Sequence, residues 1–184
     1  RLYQAGLITG KEKALDPGKI VYTFAVGSRE LYSALHRNTD FECFPVNYTN
    51  APDTIMWNKR VVSINNTTQV DLQGQVASES DGYRHISGTG GQLQFVRGAY
   101  ASPGGKSFIC LASTYEKLGQ RRSRIVFEMA AGTIITTPRT DVMYIVTEYG
   151  LVNLKGKSVA ERARAMISIA HPDFREGLEE QALK

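Results

Sequence analysis

Three glycines fall within four residues at Gly88, Gly90 and Gly91, and the segment behind them, Gln92 to Tyr100, places Phe95, Val96 and Ala99 at near-helical spacing. Glycine permits positive φ and leaves no Cβ between the backbone N–H groups and whatever lies above them. The run from Ser87 to Gln92 therefore predicts a tight corner opening a helix, whose free N–H groups carry partial positive charge. Such a corner suits a phosphate, or a carbonyl oxygen that turns negative during reaction. The spacing is not that of a dinucleotide fingerprint, and no Lys-Ser/Thr pair stands where a P-loop needs one. Taken alone, these residues read equally well as a tight turn between two packed elements.

Strands alternate with helices early in the chain and cluster later. Lys19–Gly27 is an apolar run expected as a buried strand, and Ser28 caps a helix over Arg29–Arg37. Phe41–Val46 reads as a second strand, with Asn50 as N-cap of a short helix that contains Ile55, Met56 and Trp57. Arg60–Thr68 and Gln69–Ala77 read as antiparallel strands with a turn at Gln73-Gly74. Past the corner, Ser107–Leu111, Arg124–Phe127, Ile134–Thr137 and Met143–Thr147 are further strands, and Glu116–Arg122 an exposed loop. Ser158 and Glu161 make a capping box for a helix with Ala163, Met166, Ile167 and Ala170 on its apolar face. That helix is expected to end at His171-Pro172, before a charged one over Asp173–Ala182. The pattern predicts an α/β domain with a largely parallel central sheet flanked by helices, carrying some antiparallel edge strands.

With 184 residues, 42% of them hydrophobic and 22% charged, the chain suffices for one substantial core. Arg1–Gly6 reads as the last turn of a helix, so a fragment of a longer protein is expected. The formal charge of +4 suits an anionic ligand, but no long basic run marks a nucleic-acid partner. Cys43 and Cys110 sit in apolar stretches and are expected as buried, reduced thiols without metal-ligand spacing. The apolar runs are far short of a membrane span, which makes a cytoplasmic enzyme the expectation.

Several motifs occur together in order. They are Ser87–Ala99, Ser102–Ser107, Thr137-Pro138-Arg139-Thr140-Asp141-Val142, Thr147-Glu148-Tyr149-Gly150, Leu154–Ser158 and Ala170–Glu176. Together they resemble the C-terminal domain of the acetyl-CoA hydrolase/transferase family, nearest to its 4-hydroxybutyrate and butyrate:acetate CoA-transferases. The resemblance implies a NagB/RpiA/CoA-transferase-like fold for residues 1–184, with a second domain upstream. It also implies transfer of CoA between a short-chain acyl-CoA (acetyl, butyryl or 4-hydroxybutyryl) and a carboxylate, through a glutamyl-CoA thioester. Coenzyme A is then a substrate, no cofactor is tightly bound, and a homo-oligomer is expected with neither nucleic acid nor membrane as partner. Hydrolysis of acetyl-CoA through the same intermediate is the alternative, and a non-catalytic CoA- or nucleotide-binding domain is the more distant one.

By the same resemblance the backbone N–H groups of Gly90 and Gly91 hold the oxyanion, with the Gln92 N–H as neighbour; the Gln92 side-chain amide is a substrate-binding candidate that points at the thioester or braces the loop. The nucleophilic glutamate is expected just ahead of Leu2–Gly6, hence before Arg1. Glu148, ending an apolar strand, is the internal substitute; its plainer role is to pair with Arg139 or Lys155. Asn50 orients the nucleophile through its side-chain amide or caps a helix, and both can hold. Lys106 is the candidate contact for a CoA phosphate, with Ser102 and Tyr100 lining the pantetheine arm. Structural roles are expected elsewhere. An Arg139–Asp141 pair fixes a turn, His171 sits at a helix C-terminus, and His36 and His85 lack a nucleophile partner.

Overall fold

The computed structural model describes residues 1–183. Its first residues make one turn in which Ala5 N–H donates to Arg1 O, Gly6 N–H to Tyr3 O and Leu7 N–H to Leu2 O, with Gly6 at φ +68°. That bond pattern closes a helical turn at a glycine. A strand–helix–strand unit follows, β1 (Ile20–Tyr22), α1 (Arg29–Leu35) and β2 (Phe41–Cys43), with β1 and β2 paired in parallel. Short helices α2 (Val46–Thr49) and α3 (Pro52–Met56) lead into β3 (Val62–Asn66). Two hairpins come next, β4 (Gln69–Asp71) with β5 (Val76–Ala77) and β6 (Ser80–Asp81) with β7 (Arg84–His85). The glycine corner then opens α4 (Gln92–Ala101), which runs back to β8 (Lys106–Cys110). Beyond it lie β9 (Thr114–Lys117), β10 (Gln120–Ser123), β11 (Ile125–Val126), β12 (Tyr144–Thr147), β13 (Gly150–Asn153), α5 (Val159–Ser168) and α6 (Pro172–Ala182).

The architecture is α/β with mixed sheets. The largest has the order β13-β12-β8-β3, its last three strands parallel and β13 an antiparallel edge. A three-stranded sheet, β11-β4-β5, pairs β11 with β4 in parallel and β4 with β5 antiparallel. The core joins the two: Ile109 and Ile145 from the larger sheet, Val70, Val76 and Ile125 from the smaller, Val96 from α4 and Met166 from α5 are all fully buried in one cluster. Period-two alternation sorts β8, since Ser107 and Ile109 point inward while Phe108 and Cys110 stay half-exposed. No helix among the described residues is long and apolar enough to cross a membrane.

Several local expectations hold. Ser28 Oγ accepts from Leu31 N–H at the start of α1. Both bonds of the Ser158–Glu161 capping box are present. Others are corrected by tertiary structure. The run Lys19–Gly27 is not a buried strand: β1 has only three residues, and Phe24 and Val26 are 75% and 81% exposed. Asn50 is not an N-cap; it ends α2, and Ala51 precedes α3. β3 pairs in parallel with β8 rather than antiparallel with β4, because the Thr67-Thr68 corner, tied by both hydroxyls to Ala77 O, carries the chain into the second sheet. Glu116–Arg122 belongs to the β9–β10 hairpin, whose turn has Leu118 and Gly119 both at positive φ, as a tight hairpin of this hand requires. Ile134–Thr137 contributes one bridge, Thr137 to Val76, instead of a strand. His171 does not close a helix. It starts α6, with Nδ1 accepting from Asp173 N–H, whereas α5 ends at Ser168. Cys43 is exposed and Cys110 half-buried, and burial raises the Cys110 thiol pKa.

Helix α4 is pressed against α3 at Gly98, where an added Cβ would stand 2.5 Å from Ile55 Cβ. Gly98→Ala gains about 1 kcal/mol of helix propensity but overpacks that crossing by about 1–3 kcal/mol. A net loss of stability in urea unfolding is the expected outcome, and a net gain would contradict the contact.

Candidate active site

The glycine corner lies at the C-terminal end of β3. Gln92 ties it there: its Oε1 accepts from Ser78 Oγ at 2.6 Å, and its Nε2 donates to Asn66 O at 3.5 Å. Of the two roles open to this amide, bracing the loop is the one its contacts fill. Gly90 takes φ +60° with open space where a Cβ would project, and Gly88 is likewise open. Gly91 is the N-cap of α4 without a side-chain cap, and the first helical bond runs from Phe95 N–H to Gly91 O. Among the described residues, the N–H groups of Gly90, Gly91 and Gln92 find no protein acceptor. As amides at and just ahead of the first turn they have no intrahelical partner and are open to water or to an anion.

Asn50 reaches the same corner from the end of α2. A Cβ on Gly91 would overlap Asn50 Nδ2, so the backbone and this amide touch only because residue 91 is glycine. Asn50 is 8% exposed; Thr49 Oγ1 donates to its Oδ1 at 2.9 Å and its Nδ2 reaches Gln94 Oε1 at 3.4 Å. Gly91, Gln92 and Asn50 line a cleft of about 410 Å³ together with Phe95, Ile55 and the segment Val21–Phe24. Polar residues of this cleft that carry no sequence signal of a site include Lys13, Asp16 and Tyr48. Tyr48 donates to Asp16 at 3.0 Å, and burial lowers the Lys13 pKa while Asp16 opposes it. Asp16-Pro17-Gly18 signals only a turn in sequence, and nothing local joins it to Tyr48.

The other candidates lie apart from this corner. The length of α4, ten residues at 1.5 Å rise, separates Gly91 from Tyr100 and Ser102 by about 15 Å. Ser102 is buried with its hydroxyl committed, donating to Asn58 O at 2.7 Å and accepting from Val61 N–H at 3.2 Å, so it braces the chain and does not line a ligand arm. Tyr100 is exposed, with Lys155 Nζ 4.1 Å from its ring centre. Lys106 is exposed at the start of β8. Glu148 pairs with neither Arg139 nor Lys155: Ser113 N–H and Oγ approach its carboxylate at 2.9 and 2.6 Å. Arg139 instead donates to Gln73, and Asp141 pairs with Arg97 at 3.0 Å. Among the described residues no group of three or more His, Cys, Asp or Glu is placed to hold a metal ion.

An α/β domain with unpartnered amides at a strand end, facing a cleft, has a geometry that can receive an anionic oxygen. The chain belongs to the acetyl-CoA hydrolase/transferase family: residues 27–182 match the family's acetyl-CoA hydrolase/transferase C-terminal domain. It is 50% identical over 98% of its length to the butyryl-CoA:acetate CoA-transferase of Anaerostipes caccae, covering 41% of that protein. It is 51% identical over 96% of its length to the 4-hydroxybutyrate coenzyme A transferase of Clostridium kluyveri, again covering 41%. The crystal structure of RipA from Yersinia pestis superposes with a TM-score of 0.91 at 48% identity, over 99% of this chain and 40% of RipA. The chain thus spans about two fifths of the length of these relatives.

Glu148 provides a pH test of its assignment. Burial alone would raise its pKa, but the Ser113 hydroxyl, the backbone N–H groups of Glu148 and Ser113, and His171 together hold it below the usual carboxylate value. A carboxyl depressed on folding adds stability above its unfolded pKa and loses it as pH falls through the depressed value. Ser113→Ala is expected to move the Glu148 titration upward in an NMR pH series and to shrink the loss of stability on acidification. An unmoved titration would contradict the pairing.

Proposed function

We propose that this chain is the C-terminal domain of an acyl-CoA:carboxylate CoA-transferase, acting on acetyl-CoA, butyryl-CoA or 4-hydroxybutyryl-CoA. The observation that carries the reading is the run of unpartnered amides at Gly90, Gly91 and Gln92, beside a cleft that Gly91, Gln92 and Asn50 line. The family membership and the names of the relatives support it. We assign the domain to the NagB/RpiA/CoA-transferase-like fold, with the parallel strands β3, β8 and β12 as the middle of a largely parallel central sheet. The complete enzyme has a further domain ahead of this one, works as a homo-oligomer in the cytoplasm and needs no tightly bound cofactor.

The chemistry follows from what each group can do. A glutamate carboxylate from the polypeptide ahead of Arg1 attacks the thioester carbonyl. The N–H groups of Gly90 and Gly91 hold the oxygen as it becomes negative. CoA leaves as thiolate, giving an acyl-glutamyl anhydride, and then attacks the glutamyl carbonyl so that the first carboxylate departs. A second carboxylate reverses the steps from the glutamyl-CoA thioester. Asn50 donates from Nδ2 without adding charge, so it can orient the attacking carboxylate and leave it basic. Lys106 meets a CoA phosphate and Tyr100 lies along the arm; the Ser102 hydroxyl is occupied by Asn58 O and Val61 N–H. Water in place of the second carboxylate would make the same site a hydrolase, and dependence of turnover on acetate separates the two.

In the full-length protein, acyl-CoA followed by borohydride is expected to inactivate the enzyme and mark one glutamate. Retention of full activity would remove the glutamyl thioester. Asn50→Ala is expected to lower kcat on the order of 10²-fold through misplacement of the nucleophile. Lys106→Ala should raise KM for the CoA ester and leave kcat in place. Unchanged constants in either variant would take that residue out of the site.

A further inference from the structure

Helices α5 and α6 each give one face to the core, α5 through Met166 and Ile167 and α6 through Leu178. Between them runs a groove of about 620 Å³, lined from Ala160 near the start of α5 to Leu183 at the end of α6. Only Ile169–His171 join the two helices, so α6 turns back alongside α5. Ala160, Ala163 and Ile167 make one wall apolar, and Leu183 stands on the other, 88% exposed. The rims are charged, with Arg164 on α5 and Glu179 on α6. Arg164 lies four positions after Ala160 and Glu179 four before Leu183, which sets the two charges at one level on opposite sides of the groove. Both are exposed, and among the described residues neither enters an ion pair. Arg175, the other cation of the groove, is spent on Ala170 O and the Tyr149 ring.

A surface that carries opposite charges at one level across an apolar groove is complementary to itself. We propose that the α5–α6 groove is a contact between two copies of this chain, related by a two-fold axis that runs along the groove. That axis lays α5 of each copy antiparallel on α6 of the other, as four packed helices. Arg164 then faces Glu179 of the second copy, and Glu179 faces Arg164 of the second copy, so one contact is made twice. Leu183 of each copy falls level with Ala160 of the other, where a methyl side chain leaves it room. An uncharged apolar segment in the same groove would strip water from Arg164 and Glu179 without pairing either, which favours a second copy as the occupant. The inference rests on the functional reading only for the expectation of a homo-oligomer; the contact itself needs none of the chemistry.

Light scattering on the full-length protein over a concentration series tests it, with acyl transfer assayed in parallel. Arg164→Glu makes both rims acidic and Glu179→Arg makes both basic, so each variant alone is expected to self-associate about 10-fold or more weakly. Mixed in equal amounts, the two are expected to pair with each other and recover the wild-type mass, because every acidic rim then meets a basic one. Urea unfolding of both is expected at the wild-type midpoint, since the exchanged side chains are exposed. Where a reversal does lower that midpoint, Leu183→Asn supplies the same measurement, with weaker association expected and an unchanged mass contradicting the contact. Wild-type mass in both charge variants at every concentration would overturn the proposal, as would a wild-type chain that stays monomeric. Weakened variants that fail to recover on mixing would overturn it in favour of another occupant. Recovery on mixing without acyl transfer would leave the contact standing and remove the proposed chemistry.

Discussion

Helix α4 lies where it does because two of its positions carry no side chain. At Gly91 the backbone meets the Asn50 amide, and at Gly98 it meets Ile55 of α3. A methyl group at either place would push the helix off the α2–α3 segment. That close approach brings the N-terminal amides of α4 to the cleft and puts Asn50 beside them. It also fixes the position of the loop Ser87–Gly90, whose own glycines face open space. Packing at one end of the helix and anion-directed geometry at the other are thus one constraint.

The cleft this produces presents neutral donors more than formal positive charge. Asn50, Gln92 and the corner amides are neutral donors, and Lys13, the charged donor of the cleft, has its pKa lowered by burial. Neutral donors held in place can stabilise an oxygen that becomes negative without pairing off a carboxylate that must stay reactive. The acidic group at the far end of β12, Glu148, is in the opposite condition. Ser113 already satisfies it, and a carboxylate held by an N–H and a hydroxyl is a poor nucleophile and a good brace.

Much of this was legible in the sequence where the signal is local. The capping box at Ser158, the helix after Gly91, the cap at Ser28 and the apolar strands β8 and β12 follow from residues a few positions apart. What failed was partner choice. β3 pairs with residues 106–110, more than forty positions away, and nothing in Val62–Asn66 names that partner over the nearby β4. Phe24 and Val26 read as core because apolar runs usually are, and here they border an open edge. Asn50 reads as a helix N-cap in sequence and is not one; its contact with Gly91 spans forty-one positions and has no local signal. Ser102 misled for a related reason, since a serine near a glycine turn looks available until both of its hydrogen bonds are known. The motif resemblance supplied the family, and the close approach at Gly91 supplies a physical reason for a glycine in that motif.

The account turns on where a thioester oxygen comes to rest. A crystal structure of the full-length protein with an unreactive CoA thioester analogue measures this directly. The carbonyl oxygen is expected about 2.7–3.1 Å from the Gly90 or Gly91 amide nitrogen, with Asn50 Nδ2 turned to the attacking carboxylate. An analogue bound with its carbonyl away from the corner, and those amides facing only water, would contradict the assignment.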